Sequence, residues 1–296
     1  MKIGKILILA IFMLMAAPKA WSAEYMREIT VAADGSGDFK TISEALEAIR
    51  AYMDYRVTVN IKNGEYHEKL IIPSWLENVD FIGEDPDKTI ITYNDYAKLD
   101  NMGTFRTYTM RVDGCDITFK NLTIRNNAGR VGQAVALHTE GTNLIFENCR
   151  FLGDQDTLFL AGHDSELEFE NCYVEGTTDF IFGPATAIFE NCRIHSKANS
   201  YITAASTPED VEIGFVFKNC KLTAEPDVTK VYLGRPWRPY AYTAFIECEM
   251  GDHIAPAGWN NWNNPENEKT ARYYESNNKG PGADTTDRVN WMRPLP

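Results

Sequence analysis

The 296-residue chain is 44% hydrophobic and 24% charged, an ordinary balance for a globular protein, and its length leaves room for one large domain or two small ones. A formal net charge of −13 argues against a nucleic-acid partner, whose phosphates need a basic surface. The same charge repels a heavily ionised acidic polymer and suits an uncharged or esterified one, although it also serves solubility.

Lys2 and Lys5 precede an apolar run from Ile6 to Ala17, and Ala20-Trp21-Ser22 comes after it. Charge, apolar stretch and small-residue exit predict a secretory signal peptide over residues 1–22, with 23–296 as the mature domain. The run is short for a membrane span of about 20 residues, and no later segment is longer and as apolar. The expectation is therefore a secreted protein, periplasmic or extracellular, without a membrane anchor. Without Lys2, Lys5 and Lys19 the mature part carries 26 basic and 42 acidic side chains, a net −16.

Thr41 and Glu44 have capping-box spacing, and Ile42, Ala45, Leu46, Ile49 and Met53 recur at helical spacing. The pattern predicts one amphipathic helix over 41–53, placed to cap the open end of a stack of strands. Short strands come next, VTVNI (57–61), KLIIP (69–73) and VDFIG (79–83), separated by Gly, Asn and Pro turns. Then a repeat becomes explicit: ITFKNLTI (117–124), LIFENCRF (144–151), LEFENCYV (167–174), AIFENCRI (187–194) and FVFKNCKL (215–222). TAFIECEM (243–250) is a weaker sixth copy. The asparagines at 121, 148, 171, 191 and 219 are 20 to 28 residues apart, a solenoid spacing. In LIFENCRF, Leu144 and Phe146 share one parity while Cys149 and Phe151 share the other, so the inward face must switch near Asn148. A bend at an asparagine does this, since Asn tolerates the left-handed conformation. Two strands per repeat meeting at a corner predict an all-β, single-domain parallel β-helix.

Cys149, Cys172, Cys192, Cys220 and Cys248 occupy one slot of the repeat, and Cys115 lies outside it. An even count in an exported chain suggests disulfides. In parallel register, however, stacked neighbours point the same way, so a ladder of free, buried thiols is the stronger expectation. No C-x-x-C pair or histidine cluster points to a metal.

Five phrases place polar groups among apolar ones: GEYHE (64–68), GQAVAL (132–137), GDQDTLF (153–159), TDFIFG (178–183) and LGRPW (233–237). Asp156 lies eight residues after Asn148, and Asp179 eight after Asn171. On a stack the two carboxyls therefore share one lateral position, about 4.8 Å apart in coil spacing. Two such carboxyls do not both ionise easily, which sets up a nucleophile or base beside a general acid. Arg235 supplies a positive charge able to keep one ionised, and Gln133 and Gln155 offer amide donors to a developing oxyanion. An internal Asp–Arg pair with glutamine ladders would use the same residues structurally; the combination favours a site.

These phrases carry a family resemblance. With DGSGDFKTI near the start, HIAPAGWNNWN (253–263) and RYYESNNKGPGADTTDRVNW (272–291), the chain resembles the pectin methylesterases (pectinesterases) over about residues 29 to 293. These are right-handed parallel β-helix enzymes. The resemblance implies that Asp179 attacks a galacturonate methyl ester and that Asp156 protonates the leaving methanol and then activates water. It further implies that Gln155 and Gln133 stabilise the oxyanion and Arg235 orients Asp179. Thr104 and Trp237 match substrate contacts; Phe182, Trp259 and Trp262 are candidates for stacking on sugar rings, with packing beside the groove as the alternative. Tyr66 and Glu68 read as structural. The implied partner is methyl-esterified pectin (homogalacturonan), the expected state a monomer, and neither metal nor cofactor is needed. Family members usually continue beyond RVNW, so the last coil is expected to be more exposed here.

Two other readings stand beside this one. A backbone-cleaving β-helix enzyme also uses paired carboxylates, although glutamines beside each aspartate and a nearby arginine suit acyl transfer better. A calcium-dependent lyase would want an acidic ligand cluster. A non-catalytic carbohydrate-binding solenoid would keep the aromatics and have no use for Asp156, Asp179 and Arg235 together.

Overall fold

A computed structural model describes residues 25–163 and 165–295; the expected signal peptide lies outside the described residues. Each repeat phrase folds as two short strands meeting at a corner. In 144–151 the strands are Leu144–Glu147 and Arg150–Leu152, and Asn148 between them has φ +52°. That left-handed residue switches the inward parity, so Leu144, Phe146, Cys149 and Phe151 are all fully buried. Asn121, Asn171, Asn191 and Asn219 repeat the corner with φ between +53° and +55°, a region asparagine enters at little cost.

A third strand completes each coil, here Leu158–Leu160, before Glu166–Glu170 begins the next. Coils stack in parallel register into sheets of ten, eight and seven strands, giving a right-handed parallel β-helix. The register sets like on like. Phe81, Phe119, Phe146, Phe169, Phe189, Phe217 and Phe245 succeed one another through the ten-stranded sheet. Their ring centroids are 4.4 to 5.2 Å apart and the rings lie within 12° of parallel. Each such ring contributes about 1.5–3 kcal/mol of burial.

The five thiols at the shared slot are free and buried. Each donates to a carbonyl of the coil before it, at 3.2 to 3.4 Å (Cys149 to Phe119, Cys172 to Phe146, Cys192 to Phe169, Cys220 to Phe189, Cys248 to Phe217). Burial pushes the Cys172 thiol well above its ordinary range, so this ladder behaves as small apolar packing. Cys115 is free and half-buried.

The sixth copy keeps the geometry and loses the asparagine: Glu247 occupies the corner with φ +56°. A glutamate bears the left-handed penalty of about 1–2 kcal/mol more fully than asparagine does. Glu247→Asn is therefore expected to raise the melting temperature by about 2–4 °C, read by thermal circular dichroism; an unchanged or lower value would refute the corner argument.

The N-terminal helix is shorter than the predicted 41–53. It runs Ile42–Ala48, with Thr41 and Glu44 forming the capping box. Ile49 turns to extended backbone, yet Ile49 and Met53 remain buried. The apolar spacing thus marks the buried face correctly while only part of it is helical. Glu68 of GEYHE accepts from the Ile42 and Ser43 amides at 2.9 Å each, and the Tyr66 hydroxyl donates to the Lys62 carbonyl at 2.9 Å. Both are structural, as expected. In the last coil Tyr273 is fully buried between Trp259 and Trp291, with centroids 4.2 and 5.8 Å away, while residues 284–287 that follow lie exposed.

Candidate active site

Asp156 and Asp179 each precede a strand of the seven-stranded sheet, Leu158–Leu160 and Ile181–Gly183. Leu158 and Ile181 are register partners, so the aspartates two residues earlier stack on adjacent coils. The Asp156 amide donates to the Thr178 carbonyl at 3.1 Å, and the Asp179 amide to the Tyr201 carbonyl at 2.9 Å. Both aspartates have left-handed backbones, φ +66° and +50°. Aspartate enters this region more readily than most residues, and strain of about 1–3 kcal/mol persists only where the surroundings over-determine the chain. Gly183, at φ +130°, closes the TDFIFG turn where a Cβ would meet the Leu160 carbonyl oxygen at 2.0 Å.

Arg235 grips Asp179 with a fork, Nε to Oδ1 at 2.9 Å and Nη2 to Oδ2 at 2.7 Å. Its guanidinium is itself held between two rings, 3.9 Å from the Tyr201 centroid and 3.7 Å from that of Trp262. Such stacking and bidentate pairing fix its orientation. Burial raises the Asp179 carboxyl above its ordinary range, against the pull of Arg235. Asp156 is pushed further up, first by burial and then by the Asp179 charge, with Arg235 and a hydrogen bond from Gln155 opposing. The pair is thus divided into a more acidic member, held by arginine, and a less acidic one that keeps its proton to higher pH.

That division has a stability signature. Asp156 is protonated in both states below its ordinary value of about 3.8, and above it only the unfolded chain ionises freely. Its contribution to stability is therefore lost as pH rises toward the folded value. Asp156→Asn, which cannot ionise, is expected to match the wild-type melting temperature in acid and to exceed it increasingly toward neutrality. A constant difference across that range would contradict the raised carboxyl.

Gln133 and Gln155 form a parallel bridge on neighbouring coils. Both line the cleft with Asp156 and Asp179, and Thr104, Phe182, Arg235 and Trp237 complete the predicted set there. The cleft has a volume of about 320 Å³. One predicted contact does not belong to it. Trp259 is 1% exposed, stacks on Tyr273 and donates its indole N–H to Glu275 at 3.0 Å. Its ring closes the core, and no face is available to a sugar. Trp262 lines the cleft instead, on a strained backbone with φ +59°. Phe105 and Ala204 also line it, and Tyr201 backs Arg235. Sequence reasoning passed over these three; Phe105, beside Thr104 and 48% exposed, had only its adjacency as a signal.

The comparisons with known proteins fit this geometry. Residues 28–294 match the pectinesterase family. Pectinesterase 31 of Arabidopsis thaliana is 36% identical over 280 residues, which cover 91% of this chain and 88% of that protein. Other curated relatives are about twice as long: the chain covers 43% of a probable pectinesterase/pectinesterase inhibitor from the same plant, at 38% identity. Among solved structures, a pectin methylesterase from carrot superposes with a TM-score of 0.86 at 34% identity, covering 90% of this chain and 88% of its own. A pectin methylesterase in complex with a hexasaccharide gives 0.79 at 29% identity, covering 90% and 92%. The family match takes in both aspartates, both glutamines and Arg235 within one unbroken stretch, and the chain belongs to the pectinesterase family.

Proposed function

We propose that the chain hydrolyses the methyl esters of galacturonate units in pectin, releasing methanol and leaving the polymer backbone intact. The observation that carries this reading is the bidentate Arg235–Asp179 pair one coil away from Asp156, whose carboxyl burial and the Asp179 charge push well above the ordinary carboxylate range. An ionised Asp179 oxygen attacks the ester carbonyl carbon. Charge gathers on the former carbonyl oxygen, where the amides of Gln133 and Gln155 donate to it. Asp156 gives its proton to the departing methoxy oxygen, methanol leaves, and an acyl–aspartyl anhydride remains. Asp156, now ionised, takes a proton from water as that water attacks the anhydride. The anhydride opens to free ionised Asp179 and the galacturonate carboxyl, which sheds the second proton of water to solvent, while the first proton stays on Asp156. Phe182, Trp237, Phe105 and Trp262 would offer ring faces to the sugars, and Thr104 a hydroxyl.

The reading includes export directed by residues 1–22, a secreted location and a monomeric state. Among the described residues no helix is long and apolar enough to cross a membrane.

The test incubates the mature protein with highly methylated pectin and tracks methanol, reducing ends and the ultraviolet absorbance of unsaturated products together. Methanol alone is the expected result; reducing ends or unsaturated product without methanol would mean a backbone-cleaving enzyme on the same fold. Activity should trace a bell against pH. It falls on the acid side as Asp179 takes up a proton and on the basic side as Asp156 loses one. Both limbs lie above the ordinary carboxylate range because both groups are raised. An acid limb at an ordinary aspartate value would count against Asp179 as the attacking group.

A further inference from the structure

Asp179 is steered by a cation on its carboxylate, whereas no cation pairs with the Asp156 side chain among the described residues. The turn that carries Asp156 is nevertheless gripped from behind. Lys197, just past the strand Arg193–Ser196, donates its Nζ to the Gly153 carbonyl at 2.8 Å and to Glu175 Oε1 at 3.2 Å. The same nitrogen lies 3.2 Å from Asp154 Oδ1, and its side chain is only 20% exposed. Gly153 and Asp154 immediately precede Gln155 and Asp156. From the outside, Arg130 donates to the Lys197 carbonyl at 2.8 Å and lies 3.6 Å from Asp154. Thr157 closes the other end of the turn, donating to the carbonyls of Glu175 and Asp154 at 3.0 and 3.3 Å.

We infer that Lys197 is a positioning residue for the reaction, a clamp that fixes the 153–156 turn so that Gln155 and Asp156 face the ester together. The need for one is physical. Asp156 holds a left-handed backbone at φ +66°, a conformation that relaxes unless neighbours enforce it. Its side chain must also stay uncharged to act as an acid, so a cation placed on it would defeat the chemistry. Binding the preceding carbonyl and carboxylates instead anchors the turn and leaves the Asp156 carboxyl alone. The ammonium is shared among three groups, the Gly153 carbonyl and Glu175 by hydrogen bonds and Asp154 as an ion pair, which holds its long, flexible stem in one place. The inference rests on the acid role proposed for Asp156.

The experiment measures kcat and KM for methanol release by the full protein and by Lys197→Met, Lys197→Arg and Asp156→Asn, each corrected for its folded fraction by thermal melts. A turn loosened by about an ångström costs on the order of 10- to 100-fold. Lys197→Met should lose that much in kcat with KM changed less than about twofold, and Lys197→Arg should recover most of it. Wild-type kcat in the folded Lys197→Met protein, a loss confined to KM, or no recovery in Lys197→Arg would each overturn the clamp. Where Lys197→Met does not fold, Lys197→Gln, which removes the charge facing Asp154 and Glu175 and is too short by one atom to restore the full set of contacts, is judged by the same criteria. The two readings fail separately. Asp156→Asn with full activity removes the acid assignment, whereas an inactive Asp156→Asn beside an unaffected Lys197→Met removes only the clamp.

Discussion

Asp179→Asn is expected to lower kcat for methanol release by about 10⁴-fold or more, the scale seen when one member of a catalytic unit is removed. Asparagine keeps the shape and can still accept from Arg235, so the cleft should retain its form and substrate affinity should change little. What is lost is the attacking oxygen with its negative charge, and the remaining carboxyl in the cleft, Asp156, lies one coil away from the position it occupied. A second readout separates this account from simple misfolding. The Asp179 charge is one of the groups that raises Asp156, so its removal should bring the Asp156 carboxyl down toward its ordinary value, monitored by carbon-detected NMR titration. A variant with more than about a hundredth of wild-type kcat, or an unmoved Asp156 carboxyl, would refute the pairing of nucleophile and acid.

The site was legible because it inherits the repeat. The two eight-residue offsets, from Asn148 to Asp156 and from Asn171 to Asp179, translate into the same corner-to-turn path on adjacent coils, and the register of Leu158 on Ile181 enforces it. Arg235 was legible for a different reason, as a charge embedded in LGRPW with nothing beside it in sequence to pair with. Where the repeat gives way to loops, legibility ends. Trp259 and Trp262 share one loop phrase and similar surroundings in sequence, yet one closes the core on Tyr273 and the other stacks on Arg235. The backbone between them is irregular, and no period decides which ring turns inward. The helix over-run has the same origin. The apolar spacing through Met53 reports burial faithfully, whereas Ile49 leaves the helix because tertiary packing, not local propensity, sets the end of so short an element. The Lys197 clamp was invisible in the sequence because its partners, Gly153, Asp154 and Glu175, come from other coils.

Arg235→Leu is expected to reduce kcat by about 10²–10³-fold, as losing a preorganised electrostatic partner does, and to move the acid limb of the pH profile upward. The direction comes from the forces on Asp179. Burial raises its carboxyl and Arg235 opposes that rise, so without the guanidinium the carboxyl protonates at higher pH and the nucleophile disappears from the acid side first. The stability cost should be modest for the same reason. Breaking a buried pair costs about 3–5 kcal/mol when a charge is left stranded, but this carboxyl can take up a proton instead, so the loss should be largest at high pH and fade as pH falls. Arg235→Lys should recover little of the activity. An ammonium can reach Asp179 as a point charge, yet it cannot form both bonds of the fork at 2.9 and 2.7 Å, nor lie flat between Tyr201 and Trp262. Full activity in the lysine variant would show that only the positive charge matters, and an acid limb unmoved in the leucine variant would show that Arg235 does not hold Asp179 ionised.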